Sequence, residues 1–400
     1  ASRGDVGTAA ELLDRAARLS PRGAPARLEI LADLHDALLY AGHADAAGVA
    51  VAELLAELDP DGGGTLAERA RLQQVLLRFL VDPGAIPAED LRARTDRALE
   101  AFAAAGDERD LATAHWARSL VAWLEGDAAA MQTHAELGLE LARRSGNRRA
   151  LTDAAASLAN ALMRGPVRLD EAEARLQALV AELEGDRLSQ AALRLDLSVI
   201  RSLRGFPKEA RAEADRAQEV FRDLGQRRWL ARCSDILADL AMEEEDAPRA
   251  AELGRSVHAF FLEQGDAANA LPAAMSLAAA LLEAGRTDEA DALAADVERE
   301  APVDDLETQV EWRLVRARAA AHRGEADRAS ALAQEAIDLA DGTDFLLMQA
   351  DARANFAEVL RALGRDAEAG ALRREAAERY VRKGAAARAE RMERELTSGA

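Results

Sequence analysis

Six histidines and one cysteine are the residues of this 400-residue chain whose side chains are best suited to metal binding or nucleophilic catalysis. The two histidines closest in sequence, His35 and His43, are eight residues apart, which is a poor spacing for two ligands of one metal ion. Cys233 has no second cysteine for a disulfide or a thiolate zinc site, so we expect a small buried side chain on a helix. The carboxylate run over 243–246 is interpreted as a solvated turn rather than a cation site. We therefore expect no metal and no cofactor.

Short motifs of enzyme chemistry are absent from the sequence. Lys208 and Lys383 are the only lysines, and neither belongs to a glycine-rich phosphate-binding loop. No glycine-rich dinucleotide motif and no His-Glu-x-x-His motif occurs, and no Ser-His-Asp arrangement follows from the spacing. We expect this chain not to be an enzyme.

The most regular polar pattern is a glutamine followed four residues later by an arginine. The three pairs are Gln190 with Arg194, Gln309 with Arg313, and Gln349 with Arg353. Residues four apart lie on one side of a helix, so these pairs predict a polar ladder for the acidic side chains of a partner or for an anionic ligand. The alternative is pairing with the abundant carboxylates of neighbouring helices.

Three tryptophans complete the candidate groove contacts. Trp116 and Trp123 are seven residues apart and share one helix face, while Trp312 follows Gln309 by three positions. Tryptophan at helical spacing indicates either a core position or a binding hot spot in a groove.

The elements that position these side chains follow from a repeat. A turn signal, usually glycine, recurs about every 40 residues, at positions 4, 42, 84, 126, 165, 205, 245, 285, 324 and 364. Glycine is missing at Glu245, and the unit at Gly165 departs from the pattern because Pro166 follows. A second set of helix breakers lies half a period away, and apolar residues recur at spacings of three and four between breakers. Each unit is therefore predicted to hold two amphipathic helices.

Small or apolar residues recur in the second helix of each unit, five residues after the turn position and again seven residues later. The first set is Ala9, Ala47, Ala210, Ala250, Ala290, Ala329 and Ala369, and the second is Ala16, Leu54, Ala217, Val257, Val297, Ala336 and Ala376. Small residues on one face let neighbouring helices approach closely. The spacing resembles that of tetratricopeptide (TPR) hairpins. It predicts an all-α, right-handed TPR-like superhelix, an α-solenoid of antiparallel helix pairs.

Three segments are expected along the chain. Residues 1–23 form half a hairpin at a truncated start, residues 24–384 form nine TPR-like hairpins, and residues 385–400 form a capping helix and tail. Basic residues over 373–394, including Lys383, alternate with glutamates, so these side chains are expected to be solvated; the alternative is an anion-binding tail.

Several phrases of the sequence resemble one family. They are DLETQVEWRLVRAR over 305–318, ADGTDFLLMQADA over 340–352, AEVLRALGR over 357–365 and YVRKG over 380–384. They are similar to the C-terminal TPR-like region of large bacterial multidomain regulators, in which a class III adenylate/guanylate cyclase or DNA-binding domain precedes an AAA/STAND-type NTPase; LuxR-type regulators carry similar arrays. Ala385 stands where that family usually has asparagine. The resemblance implies that catalytic and nucleotide-binding residues lie upstream, so none is assigned to this chain.

The amino-acid composition limits the kinds of partner that this chain is expected to bind. A net charge of −21 disfavours nucleic-acid binding by this region. The longest uncharged apolar stretch, 270–282, is shorter than a membrane span, so no membrane contact is expected. The single cysteine favours a reducing compartment, so we expect a cytoplasmic protein, and the resemblance implies a bacterial one.

The resulting hypothesis is a non-catalytic protein-interaction or sensor module that regulates a linked NTPase or effector domain. Its partner is expected to be a protein, a peptide or that domain itself. Two alternatives stay open: a receptor domain that binds a small inducer molecule in a transcriptional regulator, and a free-standing TPR scaffold.

Overall fold

The computed structural model describes residues 6–59 and 64–398, and over those residues its secondary structure is helical with no strand. The helices are α1 (Val6–Leu19), α2 (Pro25–Tyr40), α3 (Ala44–Glu57), α4 (Thr65–Val81), α5 (Ala88–Ala105), α6 (Glu108–Leu124), α7 (Ala128–Ser145), α8 (Arg148–Arg164), α9 (Leu169–Glu182), α10 (Arg187–Leu203), α11 (Pro207–Asp223), α12 (Arg227–Glu243), α13 (Ala247–Glu263), α14 (Ala267–Glu283), α15 (Thr287–Glu300), α16 (Leu306–His322), α17 (Ala326–Asp341), α18 (Leu346–Ala362), α19 (Asp366–Lys383) and α20 (Ala386–Ser398). A short 3-10 turn, Pro83–Ala85, precedes α5. The predicted all-α repeat is confirmed. The turn predicted at Gly4 and the breaker residues 60–63 lie outside the described residues.

The chain divides into two compact units. Unit 1 comprises Ala1–Val121 and Thr133–Ala155, and unit 2 comprises Ala122–Gln132 and Ala156–Ala400.

Even-numbered helices are the first helices of the pairs, and odd-numbered helices are the second. In unit 2 the first helices α10, α12, α14 and α16 each pack on their own second helix and also on the next first helix. In unit 1 the same contact joins α2 to α4. We call the side of the first helices that faces away from the second helices the inner face.

Alanines at the predicted close-approach positions are wholly buried. The residues five positions after the turn are inaccessible to solvent at Ala47, Ala210, Ala250, Ala290 and Ala329. The prediction is wrong for α1, where Ala9 is only half-buried and the next residue, Ala10, is buried instead. The sulfur of Cys233 is likewise buried in an apolar cluster with Phe221 and Ile236, as predicted, and burial raises the pKa of its thiol to about 12. The small-residue stripe is thus the surface on which successive helices pack.

One long-range network joins the two ends of unit 2, and Lys383 is its centre. Its side chain is completely buried, and Nζ donates hydrogen bonds to the carbonyl oxygens of Leu162, Gly165 and Val167 at 2.7, 2.6 and 2.6 Å. The irregular turn at Gly165 therefore supplies the acceptors. Burial lowers the pKa of Lys383 to about 7, while three carbonyl acceptors match the three N–H donors of the ammonium form.

Two further contacts belong to this network. The Asp344 carboxylate accepts hydrogen bonds from the backbone N–H groups of Ala128 and Ala129, at 2.5 and 3.0 Å, and so caps the first turn of α7. The Arg164 guanidinium donates to the Glu307 carboxylate at 3.1–3.2 Å. Residues more than 140 positions apart are thereby joined by hydrogen bonds.

Replacement of Glu245 by glycine is expected to stabilise the fold. Glu245 has φ 61°, the left-handed conformation that glycine supplies at the equivalent turns, and its side chain is exposed. Glu245→Gly should raise the free energy of unfolding by roughly 0.5–1 kcal/mol, because only glycine adopts this conformation without strain. Gly285→Ala is the matched control: φ is 74° and the space that its new methyl group would enter is open, so a loss of similar size is expected. Urea unfolding measures both, and equal stability of E245G and the parent chain would contradict the expected strain.

Loss of the buried ammonium group is expected to be costly. Lys383→Met leaves three buried carbonyl groups without a donor and should lower the free energy of unfolding by about 2–4 kcal/mol. Lys208→Met removes the other lysine, which is exposed on α11, and should change it by less than about 0.5 kcal/mol. If the two variants unfold at the same urea concentration, the Lys383 network does not stabilise unit 2.

Candidate functional site

The three glutamines of the predicted ladder share a structural role. Gln190 Nε2 donates to the carbonyl of Val180 at 2.8 Å, and Gln349 Nε2 donates to that of Thr343 at 2.8 Å. Gln309 Nε2 likewise donates to the carbonyl of Pro302 at 3.0 Å. Each glutamine therefore binds main-chain carbonyls at or just after the end of the preceding second helix.

The ladder arginines pair with carboxylates of second helices, and Arg353 pairs both with its own hairpin and with Asp341 of α17 in the preceding one. Arg194 contacts Glu213 at 2.6 Å, a carboxylate of α11. Each of the other two contacts a glutamate 22 residues later in the chain: Arg313 contacts Glu335 at 3.1 Å, and Arg353 contacts Glu375 at 2.9 Å. This is the inter-helix pairing that the sequence left open as the alternative. Contact with a ligand stays a prediction for all six ladder residues.

The tryptophans occupy three different environments. Trp312 is 5% exposed, its Nε1 donates to Gln309 Oε1 at 3.1 Å, and the Arg313 guanidinium lies 4.1 Å from its ring centroid. Trp116 is half-buried in unit 1. Trp123 is half-buried in unit 2, where its Nε1 donates to Glu307 Oε2 at 3.1 Å. Among the three, Trp123 is the one beside a carboxylate of the inner face.

A different position of the repeat supplies the inner-face charges. The ladder residues stand 15 and 11 positions before the turn, whereas Arg232, Glu311 and Asp351 stand 13 positions before it. Two residues correspond to a rotation of about 200° around a helix, so this position faces away from the ladder. The charged residues 13 positions before the turn are the signal in the sequence that could have located the inner face.

An acidic cluster lies on the inner face of unit 2. It contains Asp196 on α10, Asp239 on α12 and Glu311 on α16, which lie near the guanidinium groups of Arg164 and Arg232. Within residues 6–59 and 64–398, none of the three carboxylates makes a hydrogen bond or a direct ion pair. Their charged neighbours belong to first helices or to the residue that caps one, which places the cluster on one face.

The environment of these carboxylates disfavours their charged form. Burial raises the pKa of Asp196 to about 7, although Arg232 and Arg164 oppose the shift. The pKa of Asp239 rises to about 7 because many protein atoms surround its carboxylate and the Asp235 carboxylate is close. Part of the Asp239 side chain nevertheless remains in contact with solvent. Burial and the carboxylate of Glu307 raise the pKa of Glu311 well above its usual value. The nearby guanidinium groups therefore do not offset the burial and the mutual repulsion of these carboxylates.

On the inner face of unit 1, arginines form direct ion pairs with Asp33 and Asp36, in contrast to the three carboxylates of unit 2. Arg69 contacts Asp33 at 2.7 Å and Asp36 at 2.9 Å, and Arg149 contacts Asp36 at 3.0 Å. Burial opposes ionisation of Asp36, but Arg149 and Arg69 outweigh it and lower its pKa to about 2. Asp110, 3.7 Å from Arg69, keeps a pKa raised to about 6 by burial. The uncompensated carboxylates of unit 2 are thus not a general property of first helices.

Part of the acidic run predicted as solvated is not solvated. Glu243 ends α12 with 15% of its side chain exposed, and it contacts Arg388 at 3.0 Å and Arg391 at 3.3 Å. The expectation of a solvated C-terminal helix is wrong for the same two arginines, and also for Arg373 and Lys383, which are buried. For Arg388 and Arg391 the cause is a long-range contact between α12 and α20, which are more than 140 residues apart in sequence.

The only close histidine pair in the described part of the chain is His115 and His134, whose Nδ1 atoms are 3.0 Å apart in unit 1. Burial and the neighbouring ring lower the pKa of His115 to about 4. Across the described ranges no group of three or more histidine, cysteine or carboxylate side chains is arranged to hold a metal ion. The same residues contain no helix with the length and apolar character required to cross a bilayer.

Comparison with known proteins identifies the fold. No protein-family model and no curated protein sequence matches the chain. It is similar to the solved structure of a Rap protein complexed with competence and sporulation factor, with a TM-score of 0.64 and 14% identity over 93% of this chain and 98% of that one. The Cut9–Hcn1 hetero-tetramer of the APC/C has a TM-score of 0.52 and 13% identity over 99% of this chain and 84% of that one. At these identities the likeness establishes a TPR-like helical-repeat fold.

The two kinds of inner-face carboxylate predict opposite responses to substitution. Between about pH 4 and 7 the folded chain keeps a proton on Asp196 that the unfolded chain has lost, so the contribution of this group to stability falls as pH rises. Asp196→Asn should raise the free energy of unfolding at pH 8 by on the order of 1 kcal/mol and have little effect at pH 4.5. Thermal unfolding at the two pH values measures the difference.

Asp36→Asn is the matched control for this measurement. The lowered pKa of Asp36 stabilises the fold above about pH 4 and is lost only as pH falls toward 2, so this variant should lose about 2 kcal/mol or more at both pH values. Destabilisation by D196N at pH 8 would show that Asp196 is paired in solution.

Proposed function

We propose that this chain is a non-catalytic TPR-like protein-interaction module, and that the inner face of unit 2 binds a segment of a partner protein that carries cationic side chains. The observation that carries the proposal is the set of three inner-face carboxylates, Asp196, Asp239 and Glu311, that have no partner among the described residues. Asp36 on the inner face of unit 1, by contrast, is ion-paired with Arg69 and Arg149.

Charge and solvation define the kind of partner. A carboxylate held in a partly dehydrated groove disfavours ionisation until a cation approaches, and an arginine or lysine side chain supplies the missing charge together with directional N–H donors. Trp123, whose indole contacts Glu307, adds an aromatic surface beside the carboxylates, suited to packing against the apolar stem of such a side chain. A peptide segment fits this face better than a nucleic acid, because phosphate groups would be repelled.

The fold supports a role in regulation. Solenoids bind ligands on a continuous surface made of many helices, so a bound segment contacts several hairpins at once. The Rap protein with a similar fold was solved as a complex with competence and sporulation factor. We therefore propose that occupancy of the inner face controls a linked or associated NTPase or effector domain, by favouring one of two arrangements of the array.

A labelled hexa-arginine peptide tests the proposal by fluorescence anisotropy. The parent chain should bind it with a dissociation constant that falls at least threefold between pH 6 and pH 8, because cation binding requires ionised carboxylates. The double variant Asp239→Asn, Glu311→Gln should weaken binding at least tenfold at pH 8.

Asp215→Asn with Glu219→Gln is the matched control, since it removes the same charge from exposed positions of α11. This control should bind within twofold of the parent chain. Equal weakening by the two double variants would mean that net charge alone attracts the peptide, and the proposed site would be wrong. Hexaglutamate should not bind; tighter binding of hexaglutamate than of hexa-arginine would also overturn the proposal.

A further inference from the structure

The last helix, α20, continues the series of first helices. It begins after the turn at Gly384, as other first helices begin after a glycine turn, and it packs on α19. It also contacts α10, which lies five pairs earlier in the chain. The helix therefore lies on the inner face of unit 2, next to first helices that carry the acidic cluster.

Arginines of α20 are bound by inner-face carboxylates. The Arg388 guanidinium contacts Glu243 of α12 at 3.0 Å and Asp351 of α18 at 2.7 Å, so one side chain bridges two first helices. Arg391 contacts the same Glu243 at 3.3 Å. Asp351 also accepts a hydrogen bond from the Tyr380 hydroxyl. The structure thus contains guanidinium groups bound on the face for which a cationic partner is proposed.

The site at which α20 is bound lies next to the carboxylates of the acidic cluster that have no ion pair. Asp239 lies one helical turn before Glu243 on α12, and Arg388 is among the charges that act on it. A peptide that placed a cation on Asp239 would approach the position of α20. Occupation by α20 and occupation by a partner are therefore expected to compete.

The attachment of α20 is suited to release. Its apolar anchors are few: Ala389 and Met392 are buried, whereas Glu390, Glu393 and Arg394 are exposed. The side chains of Arg388, Arg391 and Asp351 remain 28–36% exposed, so their ion pairs are partly screened by water. The Lys383 network holds the end of α19 independently, and the chain turns at Gly384 immediately after it. Release of α20 can thus occur at Gly384 while α19 stays in place.

We propose that α20 is an autoinhibitory segment that occupies the inner face of unit 2 through Arg388 and Arg391, and that an arginine-bearing segment of a partner displaces it. This inference rests on the proposed function, since autoinhibition requires that the inner face binds a cationic segment.

Charge reversal on α20 of the full chain tests the proposal. In Arg388→Glu with Arg391→Glu, amide hydrogen exchange over 386–398 should accelerate at least tenfold while exchange in α18 is unchanged. The same variant should bind hexa-arginine at least tenfold more tightly than the parent chain. Arg382→Glu with Arg394→Glu makes the same change of charge at two exposed positions and should bind within threefold of the parent.

A second variant releases α20 without removing its arginines. Met392→Glu introduces a charge at a buried anchor and should also accelerate exchange over 386–398 and tighten hexa-arginine binding. If exchange accelerates in either variant but the affinity stays at the parent value, α20 is not autoinhibitory, and the proposed function stands so long as Asp239 and Glu311 still control binding. If exchange over 386–398 stays slow in both variants, these contacts do not hold α20 and the proposal is wrong. If no variant and no parent chain binds the peptide, the proposed function itself fails.

Discussion

Close approach of helices at buried alanines is the constraint on which the inner face depends. A hairpin of two helices cannot bury its own apolar surface, so each hairpin must pack on the next, and the wholly buried Ala210, Ala250, Ala290 and Ala329 set how near that packing can be. With the second helices packed at this distance, successive first helices also contact one another. The side chains on their far sides then converge, and charges from α8, α12 and α16 act on one another although they are separated by many residues in sequence.

Because these side chains converge, carboxylate charges lie close together on the inner face, and the two units differ in how far arginines neutralise them. In unit 1 the guanidinium groups of Arg69 and Arg149 neutralise Asp36 and lower its pKa to about 2. In unit 2 Arg164 is bound to Glu307 and Arg232 to Asp235, and neither forms a direct pair with Asp196. A carboxylate whose pKa is raised to about 7 destabilises the folded chain at neutral pH, and such a cost is typical of sites at which a ligand supplies the missing interaction.

Regularities repeated along the sequence were sufficient to predict the helices, but not the contacts between distant repeats. The 40-residue period, the glycine turns and the alanine stripe are local features, and the helices and their packing surfaces follow from them. The Gln–Arg pairs were equally regular, but their side chains point toward the second helices, where Val180 and Glu335 bind them. The position that faces inward lies two residues away; it is charged at Arg232, Glu311 and Asp351, but the sign of the charge differs, so no single residue type repeats there.

The contacts of Lys383 and Arg388 could not be predicted because they depend on accumulated geometry. Small rotations between successive hairpins add up over five pairs, and only their sum decides that α20 reaches α10 and α12. The sequence does show where the pattern is broken, at Gly165 and Glu245, and both breaks lie next to these contacts. At an irregular turn, main-chain carbonyls or side chains can bind residues outside the neighbouring repeats. The carbonyls of Gly165 and Val167 do so when they accept hydrogen bonds from Lys383.

Displacement of α20 requires a difference in affinity, not merely a partner that binds. A segment that bound equally well with α20 in place or released would leave the equilibrium between the two arrangements unchanged. Arg388 and Arg391 form ion pairs with Glu243 and Asp351 but form none with Asp196, Asp239 or Glu311. A partner that reaches these three carboxylates forms ion pairs that α20 does not form. The same unpartnered charges that weaken the free array therefore provide the difference in affinity by which a partner can displace its last helix.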